Sequence, residues 1–243
     1  TAVGLLVADA EHPDALGRVV QGNLQDTAAR RLDDEAEALR LLSHPRIVKL
    51  LEGPITVGGR RAILLETAGR ETLATHLGNR ERLPLDLLER WGTDLLEALV
   101  VLDAAGISHR DIKPANLGIH KDVSYRTKHL KLFDFSLTKA AASDIRAGTP
   151  PYLDPFLTDK RQYDSAAERY AASVVLFEMA TGHIPVYGDG LSDPASIRDE
   201  VTIEPTDLDP SARSHLTAFF ARALARDAGV RHHTAEQMML EWR

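Results

Sequence analysis

Cysteine is absent from all 243 residues, which excludes a disulfide framework and is compatible with a reducing compartment. No apolar run reaches the roughly 18 residues that suggest a membrane span. The longest candidate, Ala171 to Met179, is broken by Glu178. No signal peptide and no basic tail can be recognised, so a cytoplasmic chain with no membrane partner is expected. Internal repeats and low-complexity stretches are also missing. The formal net charge of −7 argues against direct nucleic-acid binding. No lysine precedes Lys49. What remains is ordinary globular composition, 44% hydrophobic, at a length that suits one two-lobed domain.

The hydrophobic pattern changes along the chain. Val3–Val7, Leu16–Val20, Ile47–Leu51 and Arg61–Leu65 read as short strands. From Ala28 to Leu42 alanines and leucines recur at helical spacing, and His44-Pro45 ends that helix, because proline disfavours the α conformation before it. After residue 70 helices dominate. Leu88, Trp91, Leu95, Leu99 and Leu102 mark one face of a long amphipathic helix. Leu117–Ile119 and Leu130–Phe133 form a pair of short strand-like runs, and Ala166 to Ala180 is apolar nearly all round, as a buried helix would be. Asp209-Pro210 offers a helix start, and Thr234 with Gln237 has capping-box spacing for a last helix ending at Trp242. The expectation is an α+β chain with a strand-rich lobe over 1–68, a helical lobe over 69–243 and a boundary near Glu66–Arg70.

One octapeptide carries chemistry. His109-Arg110-Asp111-Ile112-Lys113-Pro114-Ala115-Asn116 resembles the catalytic loop of protein kinases, H-R-D-x-K-P-x-N, in its serine/threonine form. The resemblance implies Asp111 as the carboxylate that orients and accepts the proton of a substrate hydroxyl. It implies Lys113 as the charge that offsets the transferred phosphoryl group, and Asn116 as a magnesium ligand. Asp134-Phe135-Ser136 lies 23 residues downstream of Asp111 and resembles the D-F-G triplet, with Asp134 as the second magnesium ligand. Serine at 136 is expected to restrict a backbone that glycine leaves free.

Gly148-Thr149-Pro150-Pro151-Tyr152-Leu153-Asp154-Pro155-Phe156 resembles the end of an activation segment, in which Thr149 faces Asp111 and Lys113. Phe156 stands where the family has a glutamate that pairs with a late arginine. Arg231 matches that arginine, and Asp154 is the alternative partner. Glu168 replaces the aspartate that anchors the catalytic loop; a glutamate favoured by the helix dipole is the rival explanation. Glu35 resembles the glutamate of the C helix, with Glu37 as a rival. Leu39, Leu50, Phe135 and His109 match the column of side chains that stacks through active kinases.

The chain is therefore identified as resembling a serine/threonine protein kinase domain that binds ATP and Mg2+ and acts on protein hydroxyls. The resemblance is specific in the helical lobe and weak in the strand-rich one. Asn116-Leu117-Gly118, Leu132 to Leu137, Pro150 to Phe156 and Gly188-Asp189-Gly190 with Ser192-Asp193-Pro194 are similar to kinases of bacterial phage-growth-limitation systems. The expected nucleotide contacts are Gln21, Glu35, Glu66, Ala68, Leu117, Asn116 and Asp134. The glycine-rich phosphate loop is not recognised, and the sequence is expected to begin in the second strand. Gln21 falls in the slot of the ATP-binding lysine, with Arg18 and Arg30 as other cations that lie off the slot. Gly118 stands where a bulky residue usually underlies the adenine. These departures set a non-catalytic binding module beside the enzyme as the second expectation. A small-molecule phosphotransferase is disfavoured by Lys113-Pro114 and by the Gly148–Tyr152 segment.

Overall fold

The computed structural model describes residues 2–6, 15–20, 27–78, 82–121, 127–157 and 162–243, the first two segments as backbone. Ala2–Leu6 (β1), Ala15–Val20 (β2), Leu50–Val57 (β3) and Arg60–Glu66 (β4) form an antiparallel sheet in the order β1-β2-β4-β3. Gly58 and Gly59 make the β3–β4 hairpin with φ values of 55° and 75°, a combination that matches strand twist and that side chains resist. Helix α1 (Thr27–Leu41) lies on this sheet, burying Leu32, Ala36 and Leu39 with Ile63 and Leu65. The strand expected over Ile47–Leu51 starts later, at Leu50. Ile47 and Val48 turn instead toward the helical lobe, where the Val48 amide donates to the Leu132 carbonyl at 2.9 Å.

The larger lobe holds α2 (Leu73–Leu77), α3 (Leu85–Ala105), the hairpin β5 (Leu117–Lys121) and β6 (Lys128–Leu132), and α4 (Ser165–Thr181). It continues through the two-residue strands β7 (Val186–Tyr187) and β8 (Val201–Thr202) to α5 (Arg213–Ala223) and α6 (Ala235–Trp242). Helix α4 is the hub. Asp164 caps its first turn by accepting from the Ala167 amide, Gly182 closes its end, and side chains on all its faces are buried. Phe177 meets Phe220 edge-on at 5.1 Å, and Phe219 meets Trp242 at 5.1 Å. Each large apolar side chain buried in this way contributes roughly 1.5–3 kcal/mol. Thr234 caps α6 as its spacing predicts, accepting from Gln237 N at 3.1 Å. Asp209 does not cap α5: its carboxylate takes the Ser211 amide and hydroxyl, and the helix begins only at Arg213. Among the described residues, no helix is long and apolar enough to cross a membrane.

Candidate active site

Helix α3 delivers the chain into the loop 107–116, and α4 holds that loop from below. The Glu168 carboxylate is buried and accepts from the backbone amides of His109 (2.9 Å) and Arg110 (3.1 Å), and from the Tyr163 hydroxyl (2.7 Å). Glu168 thus anchors the loop backbone. Burial pushes its carboxyl above the usual range, and burial likewise pushes the Tyr163 phenol well up. The His109 Nε2–H donates to the Phe133 carbonyl at 3.0 Å, while Nδ1 accepts from the Asp111 amide at 3.3 Å. The ring is thus fixed at both ends and ties the Asp111 backbone to Phe133.

Four of the expected residues meet there. The Lys113 ammonium lies 2.7 Å from Asp111 Oδ2 and donates to Thr149 Oγ1 at 2.7 Å. The Thr149 hydroxyl donates to Asp111 Oδ1 at 2.7 Å. Asn116 Nδ2 donates to the Asp111 carbonyl (2.8 Å) and to Oδ2 (3.0 Å), which leaves its Oδ1 as an acceptor. The Phe133 amide donates to the Asn116 carbonyl at 3.1 Å, so Asp134 follows directly from a residue tied to the catalytic loop. Asp134 has φ 70°, a left-handed value that costs a side-chain-bearing residue about 1–2 kcal/mol. Ser136 is not among the positive-φ residues, so serine fits there without strain. This cluster can hold a hydroxyl beside a carboxylate and place a cation next to it.

The small-lobe elements reach the same place. Glu35 is fully buried on α1 and accepts from the Phe135 amide at 3.3 Å, whereas its rival Glu37 pairs on the surface with Lys139. Phe135 meets the His109 ring edge-on at 4.6 Å, and Leu39 and Leu50 belong to the same core. Glu66 and Ala68 line a cavity of about 510 Å3 at the hinge, with Val48, Leu65, Gly118 and Phe133. Leu117 does not line it. It is buried in the core, opposite Leu132 in the β5–β6 ladder, and strand alternation turns Gly118 to the cavity instead. Gln21 lies outside the described residues. Arg18 lies within β2, in register with Ile63.

Gly118 is no gap in the cavity floor. A Cβ built there would fall 2.6 Å from the Ala68 Cβ and inside the envelope of the Ala68 carbonyl oxygen. The hinge backbone itself lies against β5: Ile119 N donates to Glu71 O at 2.8 Å, and Thr72 bridges to Gly118. Restoring a large residue with Gly118→Leu is therefore expected to lift the hinge. Nucleotide affinity should fall about tenfold or more, and stability by about 1–3 kcal/mol, the usual cost of overpacking. Parallel nucleotide titration and thermal melts check this; a gain in affinity would mean that the floor was indeed short of volume.

The activation segment is held by backbone contacts. Arg110 is buried, and its guanidinium donates to the carbonyls of Ala140, Ala141 (2.9 Å) and Asp144 (2.7 Å) and lies 4.4 Å over the Tyr163 ring. The sequence suggests Arg110 as the receptor for a phosphate placed on Ser136, Thr138 or Ser143. In the structure its two terminal nitrogens are held by carbonyls, and among the described residues its buried Nε has no hydrogen-bond partner. Replacing those three hydroxyl residues by alanine is expected to leave activity within about twofold, because no phosphate contact is lost. Arg110→Gln is expected to lower activity about tenfold, by removing charge-assisted hydrogen bonds of roughly 1.5–3 kcal/mol. Steady-state rates of both variants decide it; a severe loss in the alanine triple variant would restore phosphate control. No sequence signal marked this clasp, since its acceptors are main-chain atoms.

Contacts at Asp154, Phe156 and Tyr152 close the segment. Arg231 reaches Asp154 through two bonds, 2.7 and 3.2 Å, with both side chains buried. Asp154 thus takes the place of the expected glutamate. Phe156, two residues on, stacks under the Arg226 guanidinium at 4.6 Å and against Tyr187 at 5.1 Å. The Tyr152 hydroxyl donates to Glu178 at 2.8 Å, and burial pushes the Glu178 carboxyl up.

This two-lobed fold, with a lysine, an asparagine and a threonine gathered on one aspartate beside a hinge cavity, is that of a phosphotransferase of the kinase type. A sequence model of the protein kinase domain matches residues 10–242, and the chain belongs to that family. It is 38% identical to "Probable kinase PglW" of Streptomyces coelicolor over an alignment of 274 positions, covering 100% of this chain and 18% of that protein. It is 30% identical to serine/threonine-protein kinase 36 of Pongo abelii, over 67% of this chain and 12% of that one. It is also 32% identical to CBL-interacting protein kinase 4 of rice, over 68% and 37% respectively. The chain thus spans only a minor part of the length of each of these relatives.

Proposed function

We propose that this domain transfers the γ-phosphoryl group of ATP to serine or threonine hydroxyls of proteins. The observation that carries the reading is the closed set of 2.7 Å contacts among Asp111, Lys113 and Thr149. A substrate hydroxyl that enters beside Thr149 meets the Asp111 carboxylate as acceptor for its proton. Lys113, already next to that carboxylate, is placed to offset the negative charge of the transferred group. The adenine takes the hinge cavity, against Glu66 and Ala68 and over the hinge backbone at Gly118. A neighbouring cavity of about 340 Å3, lined by Lys113, Thr149, Tyr152 and Glu178, leads the acceptor peptide to Asp111.

The site residues fit magnesium. Asn116 Oδ1 and the Asp134 carboxylate are hard oxygen donors, linked through the backbone contact between Phe133 and Asn116. When bound, Mg2+ supplies neutralisation of the phosphate charge. The similarity to PglW supports a place in bacterial phage defence, with the domain working on a cytoplasmic protein substrate.

Incubation of the protein with γ-labelled ATP, Mg2+ and a mixture of protein acceptors tests the reading. Acid-stable label on serine or threonine is expected. Tight nucleotide binding with no label on any hydroxyl would instead favour the binding-module alternative.

A further inference from the structure

A second cavity, of about 420 Å3, meets the hinge cavity only at Glu66 and shares no residue with the catalytic loop. Its lining is basic in a chain whose formal net charge is −7. Arg46, Lys49 and Lys131 face it, with the imidazoles of His44, His120 and His129, and Glu66 is the only carboxylate among the lining residues.

Several of these groups are fixed in advance. Buried Asp94 accepts from His129 Nδ1 (3.0 Å) and the Leu130 amide (2.9 Å) and forms an ion pair with Arg46, 2.7 Å from Nε. The same Nε donates to Glu97 at 3.3 Å. The Arg46 amide donates to His44 Nδ1 at 3.2 Å, which leaves Nε2 of that ring as an N–H donor. Lys131 is 5% exposed and pairs with Glu66. Lys49 is exposed, and among the described residues no carboxylate pairs with its ammonium. The cavity therefore offers one uncompensated cation, a buried lysine matched by a single carboxylate, and the Nε2–H of His44.

We propose that this cavity binds the phosphate group of a small phosphorylated molecule. Phosphate suits the lining because it brings several acceptor oxygens and about two negative charges to donors that are short of them. The volume falls in the range of about 300–1,000 Å3 usual for small-molecule sites, more than a bare phosphate ion fills. The donors come from both lobes: Lys49 from the segment that enters β3, and Lys131 from β6. An occupant therefore ties the lobes together behind the hinge. The binding claim stands apart from the nucleotide reading and is tested without nucleotide.

The experiment titrates the protein with inorganic phosphate and with glycerol 3-phosphate at constant ionic strength, following the histidine ring protons by NMR. Saturable shifts of His44, His120 and His129 are expected, with glycerol 3-phosphate the tighter of the two probes. Lys49→Ala, at an exposed position and so expected to fold, should weaken both by about tenfold or more, the loss of one charge-assisted contact. Lys49→Arg should retain binding. Lys113→Ala, in the catalytic loop, should leave these shifts unchanged, which separates this cavity from the phosphate region of the cleft. Shifts that are absent, or identical in wild type and Lys49→Ala, overturn the proposal, as does a dependence on Lys113.

Discussion

Asp111→Asn is expected to lower phosphate transfer by about 10²–10⁴-fold, the usual contribution of a positioned proton acceptor, while leaving the fold intact. Asparagine keeps the shape and one oxygen, so an oxygen remains to accept from either the Thr149 hydroxyl or the Lys113 ammonium, each now 2.7 Å from the carboxylate. What disappears is the negative charge. Without it, a hydroxyl nucleophile has no acceptor for its proton, and Lys113 loses the partner that aims its ammonium. Nucleotide affinity should change little, because Asp111 does not line the hinge cavity. The measurement is a transfer rate with γ-labelled ATP together with a nucleotide titration and a melting curve. A variant that binds, melts and transfers like the wild type removes Asp111 from the mechanism. A variant that fails to bind or to fold instead gives Asp111 a structural role.

The catalytic loop was legible because its chemistry sits on eight consecutive residues, and local sequence determines their spacing whatever the rest of the chain does. The buried helix α4 was legible for a similar reason: a stretch apolar all round has few places to go. Glu168 was only half legible. A glutamate in the first turn of a helix is favoured by the dipole in any case, and its anchoring role depends on a loop 59 residues earlier reaching it. The Asp154–Arg231 pair could be named as an alternative because Asp154 lies only two residues before the missing glutamate. Leu117 and Gly118 show a different limit. Neighbouring strand positions face opposite ways, so an error of one residue moves a side chain from the cavity to the core. The path of the hinge over Gly118 and the carbonyls around Arg110 could not be read from residue types, because the contacting atoms are backbone.

The lysine slot leads to the second large effect. A carboxylate as fully buried as Glu35 is costly unless cations and donors surround it, and the Phe135 amide supplies one bond. The sequence spacing put Gln21 in that slot. Strand β2 ends at Val20, while Arg18 stands in register with Ile63 two positions earlier. Residues paired across an antiparallel ladder share a face, and Ile63 belongs to the core that α1 completes. Position 18 is therefore on the α1 side of the sheet by register. Arginine is always charged and bonds carboxylate and phosphate through a planar fork, so it can do the work of the missing lysine with a different geometry. Arg18→Ala is expected to weaken nucleotide binding or slow transfer by about 10- to 150-fold, the equivalent of one charge-assisted contact of roughly 1.5–3 kcal/mol. Arg18→Lys should keep part of the activity, because the charge stays and the fork is lost. Gln21→Lys should then add less than about twofold, since the charge is already supplied. ATP titrations and steady-state transfer rates on the three variants separate the cases. A tenfold gain in Gln21→Lys with no loss in Arg18→Ala would return the slot to position 21 and mark the natural site as short of one cation.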